Sequence, residues 1–264
     1  MRRAISILYH DVVAKGGDDV SGFPGSGAGV YKLQVDDFRN HLAEIRQAIS
    51  RSPDTIRAWT GNNQGATPLF LTFDDGGVSA YHCIADLLED YGWRGHFFVT
   101  TDYIGTPPFM TAEQIRELHN RGHSIGSHSC SHPDPMSNFG YDILVSEWTR
   151  SIQILSDIIG EPVRLASLPG GSYSLKVARA ASQAGIRALF TSEPRKRTWR
   201  VDDCLVLGRY TVYRGMPPCV SAGFAQDWAM PQLKQYLWWN TKKAAKTLGG
   251  PLYMKLRGHL LSRK

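Results

Sequence analysis

The chain alternates between short apolar runs and longer segments in which apolar residues recur every three or four positions. Short runs bounded by turn-forming residues are typical of buried strands, and helical recurrence is typical of amphipathic helices. The predicted strands lie at residues 4–9, 68–73, 96–100, 123–126, 163–168, 187–191 and 204–213. The predicted helices lie at residues 33–49, 80–91, 111–121, 141–159 and 175–184. Strands that alternate with helices of this length predict a parallel sheet of the α/β class.

Two of these helices carry end signals in the sequence. Thr111 and Gln114 have the spacing of a capping box at a helix start, and Gly122 is placed to end the same helix. The helix at 141–159 is followed by Gly160, which favours a helix end there.

The composition indicates one main globular domain. The 264 residues are 42% hydrophobic and 20% charged, which suits a large core and argues against disorder. We expect a main domain at residues 1–225 and a basic, aromatic, helical extension at residues 226–264. No apolar run approaches the roughly 20 residues that span a bilayer, and the apolar stretch before His10 is shorter than a signal-peptide core. The sequence therefore predicts a cytoplasmic protein, and its four cysteines, which form no CxxC pair, are expected to be reduced.

The positive charge is confined to the C-terminal end of the chain. Residues 231–264 contain eight Lys or Arg and no acid, so a net charge of +6 for the whole chain leaves −2 for residues 1–230. Because basic patches that bind nucleic acid lie on the folded body, this distribution argues against a nucleic-acid partner. Trp238 and Trp239 lie among these basic residues, which is typical of a segment in peripheral contact with an anionic membrane. The alternative is a pair of helices that close the fold with their charges in water.

Two adjacent carboxylates follow the second predicted strand, in Thr72-Phe73-Asp74-Asp75-Gly76. Neighbouring residues on a strand point to opposite sides, so a bend near Gly76 is needed to bring both carboxylates into one cavity. Such a pair suits one metal ligand and one general base, because a cation keeps both ionised. The alternative is an Asp-Asp-Gly turn with solvated side chains.

A histidine pair follows the fourth predicted strand, where His128 and His132 flank Ser129, Cys130 and Ser131. Two histidines four positions apart lie on one face of a helical turn and can share a metal ion. Their position after a strand puts them on the same rim as the two carboxylates, which is where α/β barrels build active sites. Two histidines and one carboxylate leave coordination positions for water and substrate, as a hydrolytic site requires.

Two further loops follow predicted strands. Pro169, Gly170 and Gly171 come before Tyr173, and glycine lets backbone N–H groups approach a ligand closely, as an oxyanion hole requires. A tight loop without a ligand is the alternative. His10 follows the first predicted strand, and a surface histidine beside a loop is its alternative.

Together these motifs resemble those of the polysaccharide deacetylases, the NodB-homology proteins of carbohydrate esterase family 4. The resemblance covers roughly residues 4–215 and implies a distorted (β/α)7 barrel, with residues 1–225 as the catalytic domain. The roles that it implies are a general base at Asp74, a metal bound by Asp75, His128 and His132, and an oxyanion or substrate contact at Gly170, Pro169 and Tyr173. Zinc is the expected metal, because two imidazoles and one carboxylate suit it.

The chain departs from the family pattern at two positions. Most members have an arginine two residues before the third-motif proline, where this chain has Ser167. Most also have a late Leu-x-His motif whose histidine is the general acid, whereas residues 207–209 are Leu-Gly-Arg. The biofilm poly-N-acetylglucosamine deacetylases are a subgroup that this chain resembles more closely, because their acid histidine lies in an N-terminal Tyr-His motif that His10 matches. The resemblance therefore implies His10 as the general acid, and we expect Arg209 to orient Asp74.

The implied activity is metal-dependent hydrolysis of N-acetyl groups, with an acetylated sugar polymer or oligosaccharide as the partner. One alternative keeps the site and changes the substrate to an O-acetyl sugar or a small cyclic amide. Another, from a different class, is a catalytically inactive sugar-binding relative. The glycine-rich segment 16–29 is expected to be either a lid or a surface loop, with Phe23 and Tyr31 as sugar-stacking aromatics. His96 is expected to pack in the barrel wall, and Cys130 is expected to point away from the metal.

Overall fold

The fold is a curled sheet surrounded by helices, and the computed structural model describes residues 2–56, 67–171 and 173–241. The strands are β1 (Ile5–Tyr9), β2 (Val12–Val13), β3 (Leu33–Gln34), β4 (Leu69–Phe73), β5 (His96–Val99), β6 (Ser124–Ser127), β7 (Leu165–Ser167), β8 (Ala188–Phe190), β9 (Trp199–Val201), β10 (Cys204–Leu207) and β11 (Tyr210–Thr211). The helices are α1 (Ser26–Gly29), α2 (Val35–Ala48), α3 (Ala85–Glu89), α4 (Ala112–Asn120), α5 (Tyr141–Ile159), α6 (Leu175–Gln183) and α7 (Pro218–Ala225). Residues 229–241 are also helical, and the part of the predicted extension at 242–264 lies outside the described residues.

The main sheet of the described chain has nine strands in the order β11-β1-β4-β5-β6-β7-β8-β10-β9. Neighbouring strands from β11 to β10 are parallel, and β9 pairs antiparallel with β10 at the edge. Gly208 and Arg209 are the two residues between β10 and β11, so one run of chain pairs with β8 at its start and with β1 at its end. This run closes seven strand positions into a ring, which confirms the distorted (β/α)7 barrel.

A small aromatic cluster fills the inside of the ring. Phe70 on β4 and Phe190 on β8 meet edge to face with 6.1 Å between ring centroids, although three strands separate β4 from β8 in the sheet. Phe98 on β5 lies 5.3 Å from Phe190. Because these contacts cross the barrel, they form an apolar floor for whatever lies at its rim.

The helices cover the outer face of the ring with the side chains that the sequence pattern predicts. Phe38, Leu42 and Ile45 of α2 are fully buried. The capping box of Thr111 and Gln114 is present at the start of α4, and α5 ends at a left-handed Gly160. In the described residues no helix is long and apolar enough to cross a membrane.

Several elements differ from the sequence-based prediction. The strand predicted at 204–213 is interrupted between β10 and β11, and the helix predicted at 80–91 opens with a π-helical turn at Ala80–Ile84. The helix predicted to begin at 33 begins at Val35, because Leu33–Gln34 pairs with Val12–Val13. The sequence did not predict β2, β3, β9 or α7. The three strands have only two or three residues each, and the apolar residues of α7 show no helical period.

The carboxyl ends of the parallel strands meet at one rim of the barrel. His10 directly follows β1, Asp74 follows β4 and His128 follows β6. Parallel strands place their carboxyl ends at the same edge, so these side chains come together although they are far apart in the sequence.

Candidate active site and metal centre

The motif residues converge on one cleft of about 720 Å³ at the carboxyl-end rim. Those that line it are His10, Asp74, Asp75, His128, His132, Gly170 and Tyr173. The aromatic rings of Phe23 and Tyr31 also line it. The segment 16–29 is therefore not a free surface loop, because its side chains form part of the cleft wall.

A sharp bend brings both carboxylates into the cleft. Asp75 has a left-handed backbone with φ of 78°, and Gly76 follows with φ of 86°. This conformation is uncommon for a residue other than glycine and marks a local constraint. The predicted bend is therefore present, and it starts one residue earlier than Gly76. A Cβ on residue 76 would lie 3.2 Å from the Cα of Val99, so glycine is also needed for close packing.

Asp75, His128 and His132 form a group whose potential ligand atoms all lie within 4.8 Å of one another. Oδ1 of Asp75 is 3.4 Å from Nε2 of His128 and 3.7 Å from Nε2 of His132. Nδ1 of His128 lies 3.0 Å from the carbonyl oxygen of Ser167 and donates to it, which leaves the lone pair of the neutral ring on Nε2, facing Asp75. These residues fit a divalent cation that prefers nitrogen and oxygen ligands.

The histidine pair is held by a loop, so the predicted helical turn at 128–132 is wrong. Ser129 and His132 have φ of 64° and 57°, which no right-handed helix allows. The Ser129 hydroxyl accepts the His132 N–H at 3.1 Å, and Oε2 of Glu147 on α5 accepts the N–H groups of the two intervening residues at 3.0 Å each. These contacts bring the two imidazoles to a centroid separation of 5.0 Å without a helix.

Asp74 is held by a buried guanidinium. Nη1 of Arg209 donates to Oδ1 of Asp74 at 2.7 Å, and Nη2 donates to Oδ2 at 2.8 Å. The Ser167 hydroxyl donates to Oδ2 at 2.9 Å, and Nε of Arg209 donates to the Thr191 carbonyl at 3.0 Å. The expected contact between Arg209 and Asp74 is thus present, and Ser167 shares it from the position where most family members have arginine.

The charges around the carboxylates keep both ionised. Burial would raise the pKa of Asp74. The charge of Arg209 and the nearby His128 imidazole outweigh burial and hold the pKa of Asp74 below its ordinary value. Burial also acts on Asp75, where the proximity of His128 and of His10 lowers the pKa below its ordinary value. Two ionised carboxylates with imidazoles around them form a site suited to a cation.

His10 lines the cleft beside Tyr31. Its ring centroid is 4.7 Å from that of Tyr31. Its Nδ1 is buried and has no hydrogen-bond partner among the residues that the structure describes. His10 is outside the ligand group of Asp75, which is consistent with a role other than metal binding.

The third-motif loop borders the cleft. Gly170 has φ of 61°, and a Cβ there would lie 2.4 Å from a carboxylate oxygen of Asp134, so only glycine fits. The Tyr173 hydroxyl accepts a hydrogen bond from Nε1 of Trp199 at 2.9 Å, which fixes its ring. Pro169 is buried below the loop and does not line the cleft.

His96 and Cys130 have structural environments. Nδ1 of His96 donates to the Leu71 carbonyl at 3.1 Å, and Nε2 accepts the Ile56 N–H at 3.0 Å. Burial lowers the pKa of His96 to about 4. Cys130 is buried and lies outside the ligand group, as expected.

Ser167, Trp238 and Trp239 are among the residues at the site that were not assigned a role there from sequence. Ser167 was visible only as a departure from the family pattern, with no sign that its hydroxyl would reach Asp74. Trp238 and Trp239 line the cleft, although the sequence places them in an extension beyond the main domain. The adjacent tryptophans were the available signal, and their basic surroundings favoured a membrane or packing interpretation.

The chain is similar to known carbohydrate deacetylases. Residues 61–189 match the family model described as polysaccharide deacetylase. The peptidoglycan-N-acetylmuramic acid deacetylase PdaA of Bacillus subtilis is 29% identical over 136 residues, which are 51% of this chain and 49% of PdaA. The chain spans about half the length of the curated relatives it matches.

Two solved structures share the fold over most of the chain. The Streptococcus pyogenes deacetylase PplD has a TM-score of 0.68 at 18% identity and covers 82% of this chain and 95% of its own. IcaB from Ammonifex degensii has a TM-score of 0.68 at 20% identity and covers 86% of this chain and 98% of its own. At these identities the likeness shows a shared barrel, and the chemistry has to be argued from the site.

Proposed function

We propose that this chain, which matches the polysaccharide deacetylase family model over residues 61–189, is a metal-dependent hydrolase that removes N-acetyl groups from a polysaccharide or glycoconjugate. The observation that carries the proposal is one cleft in which the Asp74 carboxylate, paired with Arg209, lies next to the group of Asp75, His128 and His132. A base separate from a metal-ligand set is what metal-assisted amide hydrolysis requires.

The metal would be held by Asp75, His128 and His132, and we propose zinc. Two imidazoles and one carboxylate are a ligand set that zinc hydrolases use, with a position left for water or substrate. When bound, the cation polarises the acetyl carbonyl and acidifies water.

The other residues carry the proton transfers. Asp74 takes a proton from the attacking water, whose oxygen forms a bond to the acetyl carbon, and Arg209 keeps the Asp74 carboxylate oriented for this. The Gly170 N–H donates to the carbonyl oxygen as it gains negative charge. The C–N bond then breaks, His10 gives a proton to the departing amine, and the products are acetate and a free amino sugar.

The substrate class is supported by the relatives and by the cleft. PdaA is named for deacetylation of N-acetylmuramic acid in peptidoglycan. The aromatic rings of Phe23, Tyr31 and Tyr173 in the cleft wall suit the apolar faces of a pyranose ring. An acetylated glycan fits these features better than a small cyclic amide. The cytoplasmic location and the membrane contact of the extension stay predictions.

The direct test is acetate release from N-acetylglucosamine oligomers together with metal analysis. We expect about one zinc per chain, loss of acetate release after chelation, and recovery with added zinc. Asp74→Asn should lower turnover by at least about 100-fold while the protein keeps its metal. Asp75→Asn should lose the metal.

His10→Ala separates two roles for that histidine. We expect it to lower turnover with metal content unchanged, whereas loss of metal would move His10 into the ligand set. Stoichiometric metal with no acetate release from any acetylated glycan would overturn the proposal in favour of an inactive sugar-binding relative.

A further inference from the structure

A helix that follows the family-like segment is fastened to the rim of the barrel. Residues 229–241 form this helix, and its Gln235 makes two hydrogen bonds to Thr211 on β11. Oε1 of Gln235 accepts the Thr211 N–H at 3.0 Å, and Nε2 donates to the Thr211 carbonyl at 2.7 Å. The side-chain amide therefore pairs with β11 much as a neighbouring strand would, and it fixes the helix beside the cleft.

The helix presents two tryptophans to the cleft in different ways. Trp238 meets Tyr213 edge to face at 5.5 Å between centroids, and 44% of Trp238 remains exposed. Trp239 packs on the third-motif loop, because a Cβ on Gly171 would lie 2.9 Å from its Cη2 atom. Since Gly171 directly follows Gly170, the tryptophan pair adjoins the reaction site.

The indole N–H of Trp239 provides a second, independent observation. Its Nε1 is buried and has no hydrogen-bond partner within the described chain. A buried donor without a partner is costly, and such groups in native proteins commonly mark a position that a ligand or water fills. The indole ring of Trp238 next to it is half exposed and lines the same cleft.

We propose that Trp238 and Trp239 form a subsite for a second pyranose ring, next to the sugar whose acetyl group reaches Asp74. This inference rests on the proposed function and deepens it. Trp238 offers a flat apolar surface for one face of the ring, and Trp239 Nε1 donates to an oxygen of the same ring. The substrate of this site is therefore an oligosaccharide or polysaccharide, and a monosaccharide or small cyclic amide fills the cleft only in part.

The test measures binding separately from turnover, in full-length zinc-loaded protein with the Asp74→Asn change so that no substrate is consumed. The probes are β-1,4- and β-1,6-linked N-acetylglucosamine pentamers and the N-acetylglucosamine monosaccharide, measured by calorimetry. We expect Trp238→Ala to weaken pentamer binding about tenfold and Trp239→Phe, which removes the N–H donor together with its five-membered ring but keeps an aromatic side chain, several-fold. Monosaccharide binding should change less than twofold in both variants.

Trp228→Phe is the matched control. Trp228 is 56% exposed and does not line the cleft, so this variant should bind both probes as the parent protein does. Circular dichroism and the unfolding midpoint check that each variant is folded, and Trp239→Phe keeps most of the ring packing if Trp238→Ala does not fold.

Three results would overturn the subsite. The first is unchanged pentamer affinity in Trp239→Phe and Trp238→Ala, and the second is a parent protein that binds neither pentamer. The third is an equal loss for monosaccharide and pentamer, which would place the tryptophans at the reacting sugar. Failure of the proposed function looks different, because the wild-type protein would then release no acetate while pentamer binding still responded to the tryptophan variants.

Discussion

The guanidinium of Arg209 is completely buried, and its charge is matched by the Asp74 carboxylate. Removing one partner of a buried ion pair leaves the other charge without compensation, which typically costs about 3–5 kcal/mol. We therefore expect Arg209→Ala to lower the free energy of unfolding by roughly that amount and to reduce turnover strongly, because Asp74 loses its orientation. Denaturant unfolding and acetate release measure the two effects.

Two variants make this prediction specific. Arg209→Lys keeps a positive charge but not the paired geometry, so it should recover part of the stability and little of the turnover. Ser167→Ala removes the hydrogen bond that the hydroxyl donates to Asp74 and the one that it accepts from Arg209, and should cost about 1.5–3 kcal/mol. An Arg209→Ala protein that matches the wild type in both measurements would show that Asp74 needs no partner.

His96 should make stability depend on pH. Burial lowers its folded-state pKa to about 4 from an ordinary value of 6.5. Between pH 4 and pH 6.5, His96 is protonated in the unfolded chain and neutral in the folded protein. The contribution of the neutral His96 ring to the free energy of unfolding is therefore intact above pH 6.5 and is lost as the pH falls toward 4. The free energy of unfolding should fall by up to about 1.4 kcal/mol per pH unit in this range.

Replacing His96 isolates this effect from the other titrating groups. His96→Gln should lower the free energy of unfolding at pH 7, because two hydrogen bonds change, but the loss from pH 7 to pH 4.5 should be smaller than in the wild type. His82 is exposed, so His82→Gln serves as the control and should keep the wild-type slope. Equal slopes in all three proteins would contradict a neutral, buried His96.

At the scale of elements, the break between β10 and β11 is what turns Arg209 into the barrel. Gly208 lies so close to the next loop that a Cβ there would be 2.4 Å from the carbonyl oxygens of Glu193 and Arg195. We expect Gly208→Ala to cost about 1–3 kcal/mol through steric strain, and to lower turnover because Arg209 shifts. Unfolding and activity assays test both.

Gly140 offers a comparison on the surface. A Cβ there would meet nothing within 4 Å, so Gly140→Ala should change stability by less than about 1 kcal/mol and leave turnover intact. If Gly208→Ala behaved in the same way, the close approach at the strand break would not matter to the site.

The main helices and strands could be predicted because each lies in an apolar run, shows a helical period or carries an end signal. Helix α5 was predicted with its observed bounds, and α4 with its capping box. The break within residues 204–213 could not be predicted, because local apolar pattern is the same for one straight strand and for two strands that pair with different neighbours. Pairing across the barrel is a property of the closed ring.

The sequence predicted the site residues that follow predicted strands. It did not predict the loop conformation that orients them. Asp75, His128 and His132 could be grouped because each follows a strand of a parallel sheet. The helical turn at 128–132 was wrong because Ser129 and His132 are left-handed, and the N–H groups of the two residues between them are bound by Glu147, which lies on a different element. A sequence pattern contains no information about that contact.

At the scale of the molecule, the cleft is built from segments far apart in the chain. Residues 16–31, near the start of the sequence, bring the ring centroid of Phe23 to 4.8 Å from that of His132. The helix at 229–241, late in the sequence, brings two tryptophans to the same cleft. Lys32 is buried and donates from Nζ to the Ser21 carbonyl at 2.6 Å. This bond ties the first of these segments to the residue that precedes β3.

The pair of Asp18 and Arg214 decides how firmly that segment is held. Both Nη atoms of Arg214 donate to the Asp18 carboxylate, at 2.8 and 2.6 Å, and they join the segment to the chain just after β11. Both side chains are partly exposed, so Asp18→Asn should lower the free energy of unfolding by less than about 1 kcal/mol. The wall that carries Phe23 should nevertheless move more freely, which raises KM for the pentamer several-fold and leaves kcat unchanged, because Asp74 and its partners are not touched. Limited proteolysis should cut within residues 16–29 faster than in the wild type.

Asp36→Asn is the control, because it removes an exposed partner of Arg39 on α2. It should alter neither KM for the pentamer nor the rate of proteolysis. An equal effect of the two variants would mean that general surface charge, and not the pair of Asp18 and Arg214, controls access to the cleft.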